Sequence, residues 1–274
     1  MKILVTGGGG FIGSHLCERL LQEGHKVVCI DNFYTSSVEN IKHLISDKNF
    51  SCFYKDVTKR FSVKGVEKVY NLASPAAPLQ YNYDAVKTIM ANVVGTKNAI
   101  DVAEDIPFIQ FSTIHVEDLS KNSCYVEGKR CAEMIVQSSN VKGKILRLAN
   151  VFGPGMAIDD SRVIPCFIKA ALRNEDLSVY GNKDSFIYID DLIDYLVEDK
   201  MEENETIFGS YMVSIFDLAN KIVLLSKSKS KVSLTSKIYP YAHEKLPHWK
   251  VLKARFSLVE ALKRTIEYYR GKIC

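Results

Sequence analysis

The chain has 274 residues, 47% hydrophobic and 25% charged, ordinary values for a globular protein with a sizeable core. Its 36 basic and 32 acidic residues leave a net charge of +4 spread along the chain, with no basic block dense enough for a nucleic-acid surface; the Lys227–Lys231 run is expected to be a solvated loop. No apolar run reaches the ~18 residues that span a membrane, the glycine-rich N-terminus does not read as a signal peptide, and seven cysteines without a C-x-x-C pair fit free thiols in a reducing, cytoplasmic compartment.

Taken in chain order, Lys2–Thr6 predicts a short strand, Gly7–Gly10 a tight turn and Ser14–Gln22 an amphipathic helix. Further buried strands are expected at Lys26–Ile30, Ser51–Tyr54, Lys68–Leu72, Phe108–Ser112 and Lys144–Leu148, with the clearest helices at Asp84–Ala103 and Tyr125–Gln137. Alternating β and α runs of this length imply an α/β fold, a Rossmann-type doubly wound parallel sheet with helices on both faces. Beyond Asn150 the pattern loosens: helices are expected at Val163–Arg173, Asp190–Val197, Phe216–Leu225 and Ser257–Arg270, and short strands at Leu177–Tyr180, Ile187–Ile189 and Val232–Leu234. The expected organisation is a dinucleotide-binding domain over residues 1–155, with 184–200 returning to it. Residues 156–274 would form a smaller mixed α/β substrate-binding lid at the C-terminal side of the sheet, the edge where such sheets bind ligands.

Gly7, Gly10 and Gly13 form G-x-x-G-x-x-G between the first strand and its helix. Glycines here permit a tight turn, close backbone approach to a pyrophosphate and close helix–strand packing, while the helix N-terminus offers free N–H groups to the phosphates. Asp31 ends the second strand, eighteen residues after Gly13, where a carboxylate binds the adenosine ribose and repels a 2′-phosphate. No Lys or Arg follows until Lys42, so NAD is expected rather than NADP. Asp56-Val57, after the third strand, either cradles the adenine or is a solvent-exposed strand end.

Tyr125-Val126-Glu127-Gly128-Lys129 is a Tyr-x-x-x-Lys that places phenol and ammonium one helical turn apart on one face. The ammonium favours the phenolate and makes the tyrosine a usable base. The motif is common by chance; it gains weight from following Gln110-Phe111-Ser112-Thr113 in a chain that opens with the glycine fingerprint.

With these residues the chain resembles an extended short-chain dehydrogenase/reductase, and more narrowly the UDP-glucuronate decarboxylase (UDP-xylose synthase) family. The stretches that carry the resemblance are TGGGGFIGSHL, IDNFYTSSVENI, NLASPAAPLQYNYDAVKTIMANVVGTKNAI, SCYVEGKRCAE, RLANVFGPGM, DDSRVIPCFIKAAL and YIDDLIDYL, which together cover most of the chain. It implies hydride transfer at C4 of a nucleotide sugar, with Tyr125 taking the C4 hydroxyl proton, Thr113 bonding the same oxygen and Lys129 holding the nicotinamide ribose. It further implies that Gly7, Gly10, Phe11, Ile12, Gly13, Asp31, Asn32, Asp56, Val57, Leu72, Ala73, Tyr125 and Lys129 bind NAD. Ser74, Tyr81, Asn150, Arg162 and Lys245 would meet the nucleotide-sugar substrate. A homodimer is implied through the helices at 84–103 and 125–137; neither a nucleic-acid nor a membrane partner is expected.

The resemblance breaks where the family handles a uronic acid. Its Ser-Thr-Ser-Glu is here Ser112-Thr113-Ile114-His115, its C-terminal Arg-x-Pro is Lys245-Leu246-Pro247, and its Thr-Arg-Ser-Phe is Lys183-Asp184-Ser185-Phe186. Lysine meets a carboxylate without the bidentate fork of arginine. The segment between Thr113 and Tyr125 is also shorter than the family's. The C4 oxidation residues are kept and the decarboxylation residues altered, so the expectation is C4 oxidation, with a 4-keto sugar as product or intermediate and His115 either a replacement acid or a pocket wall. The alternatives are the ordinary decarboxylase, a sugar-nucleotide 4-epimerase, and a non-catalytic NAD-binding subunit. His243 and His248 lack partners for a metal site, and no metal is expected. Trp249 is read as core, and Asp190 with Asp191 as a helix cap.

Overall fold

The structure, a computed structural model, describes all residues except 181, 182, 202, 236–245, 247 and 274. In chain order the elements are β1 (Lys2–Thr6), α1 (Phe11–Gln22), β2 (Lys26–Asp31), β3 (Phe50–Tyr54), β4 (Lys68–Asn71), α2 (Pro78–Tyr83), α3 (Ala85–Ala103), β5 (Pro107–Thr113), α4 (Cys124–Gln137), β6 (Lys142–Leu148), β7 (Asn150–Phe152) and α5 (Val163–Leu172). They continue with β8 (Leu177–Val179), β9 (Lys183–Tyr188), α6 (Ile189–Val197), β10 (Glu205–Ile207), β11 (Tyr211–Ser214), α7 (Ile215–Ser226), β12 (Val232–Leu234) and α8 (Leu258–Ile273). The chain divides into two compact units, Met1–Leu148 with Leu196–Thr206, and Ala149–Tyr195 with Ile207–Cys274.

The first unit is built on a seven-stranded sheet of order β10-β6-β5-β4-β1-β2-β3. The neighbours from β6 to β3 all pair in parallel. The chain winds outward from β1 in one direction to β3, then crosses over to β4 and winds the other way. This places a topological switch point between β1 and β4, at whose carboxyl ends ligands bind in such sheets. Leu4, Val28, Ile30, Val69, Phe108 and Ile145 from the strands meet Val57, Ala99, Ala103 and Val136 in one buried cluster. Strands buried on both faces explain why these runs are nearly continuous in Val, Ile and Phe.

The second unit carries a three-stranded sheet of order β11-β9-β7 and a β12-β8 pair. Its core is aromatic: Phe152 meets Phe186, Tyr188 and Tyr211 at centroid distances of 6.3, 5.6 and 6.1 Å. Trp249 is buried against Phe208, as core. Asp190 and Asp191 fall inside the first turn of α6 rather than capping it, and Asp191 accepts the Arg255 N–H at 2.9 Å.

The unit boundaries differ from those expected at 155 and 184–200. Lys183–Tyr188 is a full strand hydrogen-bonded to β7 and β11, which keeps it in the second unit. The segment that returns to the first unit is 196–206, tied by Lys68–Asp199 at 2.7 Å, by Tyr70 Oη donating to Leu196 O at 3.3 Å and by Ile145 N–H donating to Asn204 Oδ1 at 2.8 Å. Among the described residues no helix is long and apolar enough to cross a membrane. The lysines at 227, 229 and 231 are exposed, as expected of a solvated run.

Candidate active site

The glycine turn has the shape its sequence requires. Gly7 sits at φ +71, and a Cβ there would lie 2.8 Å from Ala73 N; a Cβ on Gly13 would lie 2.2 Å from Gly7 O. Gly10 N–H donates to Gly7 O at 3.1 Å and Gly10 O accepts from Ser14 N at 2.9 Å, so α1 begins on the turn itself. Its N-cap is Gly10, with no side chain closing the end of the helix, and its first-turn N–H groups are the usual place for an anion. Helix α1 starts at Phe11, three residues before the periodic run that announced it.

Asp31 closes β2 beneath this turn and is 8% exposed. Its Oδ2 accepts the Gly9 N–H at 2.9 Å, while Oδ1 accepts from Phe33 N at 2.8 Å and Ser36 Oγ at 3.0 Å. The carboxylate is therefore held in one orientation, with both acceptor sites of Oδ1 occupied and one left on Oδ2. Asn32 Nδ2 donates to Asp56 Oδ2 at 3.2 Å, which links the ends of β2 and β3. Burial raises the Asp56 carboxyl, but hydrogen bonds from Thr58 and Asn32, with Lys87 nearby, outweigh it and hold the group below its usual value. Val57 is buried at 6% against Gly95, and its carbonyl accepts from Asn98 Nδ2 at 2.8 Å, so this is no exposed strand end. Leu72 and Ala73 follow β4 and are tied to β1 through Thr6, by Leu72 N–H to Thr6 O at 3.1 Å and Ala73 N–H to Thr6 Oγ1 at 3.4 Å.

Thr113 ends β5, 5% exposed, and its hydroxyl oxygen accepts the His115 N–H that starts a 3₁₀ turn at Ile114–Glu117. Ser123 caps α4 by accepting the Val126 N–H at 3.2 Å, which sets Tyr125 in the first turn and Lys129 one turn on. The Lys129 Nζ lies 5.8 Å from the Tyr125 ring centroid and donates to Phe111 O at 2.9 Å. The lysine is 3% exposed, and this burial, partly opposed by Glu133, brings its ammonium down to about 8. The lysine ammonium thus lies between the tyrosine ring and the Phe111 carbonyl, two residues before the threonine that ends β5.

Tyr81 stacks on Tyr125, with centroids 5.4 Å apart and planes 11° from parallel, while its backbone carbonyl accepts from Cys124 Sγ and Thr88 Oγ1. Ser74 accepts from Asn92 Nδ2 at 3.0 Å, and Asn92 packs on Gly128 of the Tyr-x-x-x-Lys turn. His115 belongs to a braced turn: Arg130 donates to the carbonyls of His115, Val116 and Asp118. In the second unit Asn150 donates to Asp184 at 2.9 Å, and the Arg162 fork holds Asp160 at 2.6 Å. Lys245 and His243 lie outside the described residues. No group of three or more His, Cys, Asp or Glu among the described residues is placed to hold a metal.

Sequence reasoning missed the support behind these groups. Glu133, Arg147 and Glu117 form a linked set beneath Lys129, and Thr6, Asn71, Thr96 and Gln110 form a buried hydrogen-bonded chain across the strand ends. The spacing of Glu133 four residues after Lys129 on one helix face was the available signal.

A glycine turn at a Rossmann switch point, a carboxylate at the end of β2 and a Tyr-x-x-x-Lys whose lysine is buried define a dinucleotide-dependent enzyme of the extended short-chain dehydrogenase/reductase class. The chain belongs to the NAD dependent epimerase/dehydratase family, whose signature matches residues 3–204, and NAD is the cofactor of that family. It is 31% identical over 307 aligned positions to UDP-glucuronic acid decarboxylase 1 of Xenopus tropicalis, covering 99% of this chain and 73% of that protein. It is 39% identical over 233 positions to UDP-glucuronic acid decarboxylase 3 of Arabidopsis thaliana, covering 75% and 68% of the two chains. Among solved structures, UDP-glucuronic acid 4-epimerase of Bacillus cereus, in complex with UDP-glucuronic acid and NAD, shares the fold at a TM-score of 0.81 and 24% identity, over 99% of this chain and 100% of that one.

Proposed function

We propose that this enzyme oxidises C4 of a nucleotide-activated sugar, with the 4-keto sugar as product or intermediate. The observation that carries the reading is the complete Thr113, Tyr125 and Lys129 set, with Lys129 buried and aimed between the strand end and the tyrosine ring. A module that only bound NAD would have no chemical use for it. The chain fits the cofactor: the positions that must be bare for a pyrophosphate are glycines, two of which a single methyl would block. Gly7, Gly10 and Gly13 would hold its phosphates, with Phe11 and Ile12 supplying N–H groups. Asp31 and Asn32 would hold the adenosine ribose, Asp56 and Val57 the adenine, and Leu72 and Ala73 the far side of the turn.

When bound, NAD supplies the hydride acceptor. Tyr125 removes the proton of the C4 hydroxyl, Thr113 hydrogen-bonds the same oxygen, and the Lys129 ammonium stabilises the phenolate and bonds the nicotinamide ribose. Ser74 and Tyr81 orient the sugar, and Asn150, Arg162 and Lys245 receive the nucleotide and the far end of the substrate. Residue 115 is a histidine where decarboxylases of this resemblance carry a glutamate, and residue 184 is an acid where they carry an arginine, so loss of CO2 is not part of this reading.

The identity to UDP-glucuronic acid decarboxylases favours a second reading, in which His115 and Lys245 replace the altered groups and CO2 is lost. Mass spectrometry on enzyme incubated with NAD and a panel of UDP- and GDP-linked sugars separates the two. The first reading expects a two-dalton loss or C4 inversion in one panel member without CO2; stoichiometric CO2 and UDP-xylose from UDP-glucuronate establish the second. The same proposal includes a homodimer through α3 and α4, on which Val86, Met90 and Met134 are 71%, 43% and 60% exposed. Light scattering should return twice the 30.9 kDa chain mass; the monomer mass would remove this part.

A further inference from the structure

Helix α4 grips two successive residues of β5 from below. Lys129 Nζ donates to Phe111 O at 2.9 Å, and one turn on, Glu133 Oε1 accepts from Ser112 Oγ at 2.5 Å. Both side chains belong to residues less than a tenth exposed, and Thr113 follows directly. A lysine and a glutamate four residues apart on one helix face are placed to pair with each other, yet Glu133 is engaged elsewhere. The Arg147 fork holds it through Nε to Oε1 at 2.9 Å and Nη2 to Oε2 at 2.6 Å, and reaches Glu117 through Nη1 at 3.0 Å. Glu117 in turn accepts from Thr206 Oγ1 at 2.6 Å.

The geometry points to Glu133 and Arg147 as a positioning pair for Lys129: Arg147 neutralises and occupies the one carboxylate that would otherwise capture the lysine, leaving the ammonium on Phe111 O and available to Tyr125 and the cofactor ribose. The inference rests on the role given to Lys129 above. The bidentate fork of an arginine suits the task, because it satisfies both carboxylate oxygens at once and leaves none directed at Lys129. Among the described residues, α4 itself carries Cys124, Tyr125, Glu127, Arg130, Cys131 and Glu133, and the elements packed on it add Tyr81 and Tyr83 of α2, Lys87, Lys97 and Asp101 of α3, His115 and Glu117 of the 3₁₀ turn, and Lys142, Lys144 and Arg147 of β6. Arg130 pairs with Glu127 and Lys97 with Asp101, and Glu133 is the charge that acts on Lys129. The facing parts of β5 and α3 present Ser112, Thr113, Thr88, Asn92 and Thr96, none of them charged.

The pair makes a prediction of sign. Glu133→Gln keeps the shape and the acceptor for Ser112 but removes a negative charge, so Lys129 should lose its proton at lower pH. Arg147→Gln removes the neutralising cation, so Lys129 should hold its proton to higher pH, each by about one pH unit. The measurement is the 13Cε chemical shift of Lys129 against pH in the full-length protein carrying labelled lysine, its signal assigned by its loss in Lys129→Arg. Opposite displacements in the two variants establish the pair. Displacement in the same direction, or none, overturns it and leaves a structural brace. Should Arg147→Gln fail to fold, Arg147→Lys supplies the second arm: it keeps the charge, and a midpoint near that of the unaltered protein is expected, while a fall as large as that of Glu133→Gln would overturn the inference. The titration needs no substrate, so its failure is distinct from failure of the proposed reaction.

Discussion

Replacing Tyr125 with phenylalanine is expected to lower turnover by about 10²–10⁴-fold, the usual contribution of a positioned general base, while NAD binding stays close to that of the unaltered enzyme. The substitution removes one oxygen and keeps the ring, so the stacking on Tyr81 at 5.4 Å is retained. Lys129 keeps its bond to Phe111 O and the cap at Ser123 is untouched. What is lost is the group proposed to take the C4 proton, and no other phenol or carboxylate in the set described above is offered as its substitute. His115 is the nearest rival in sequence: it lies two residues past Thr113, in a turn fixed by Arg130. Turnover within about tenfold of the unaltered enzyme would move the base away from Tyr125 and point to that histidine. Measuring cofactor affinity by calorimetry alongside the rate separates lost chemistry from lost binding.

Gly13→Ala is expected to abolish NAD binding and to destabilise the protein by about 1–3 kcal/mol, the range for forcing an atom into a closed space. The new methyl would meet Gly7 O at 2.2 Å and Gly8 Cα at 2.8 Å, and both are backbone atoms of the turn, unable to swing aside as a side chain would. Relief requires moving the turn away from the end of α1, which dismantles the phosphate cradle. Gly271→Ala in α8 is the control: nothing lies within 4 Å of its added Cβ, and alanine is the better helix former by about 1 kcal/mol. Thermal unfolding should fall for the first variant and hold or rise for the second. An unchanged melting temperature and NAD affinity in Gly13→Ala would show that the turn is not the cradle described.

Most of the first unit was legible because its signals are local. A run such as Lys2–Thr6 followed by glycines and a helical period carries its own strand, turn and helix, and β1 has the bounds its sequence predicts. The Tyr125–Lys129 spacing fixes a shared helix face without reference to anything distant. What stayed hidden depends on partners far along the chain. In the sequence only Ile187–Ile189 reads as a short strand leading into a helix, whereas the strand observed is Lys183–Tyr188. Only pairing with Asn150–Phe152 and Tyr211–Ser214 makes it the centre of a separate sheet and moves the unit boundary. Arg147 looks like any arginine near the end of a strand until Glu133, fourteen residues earlier, and Glu117, thirty earlier, fold onto it. Short strands such as β7, β10 and β11, three or four residues each, carry too little periodicity to be seen alone.

The central claim is that hydride leaves C4 of the sugar, and a C4-deuterated substrate tests it most directly. Enzyme is incubated with NAD and a 4-deuterated member of the nucleotide-sugar panel on which it turns over, and the cofactor is then released by denaturation and weighed. The account predicts deuterium on the nicotinamide, or a slowing of turnover by the heavier isotope where the hydride is handed back. A substrate consumed with no isotope on the cofactor and no effect on rate would contradict it.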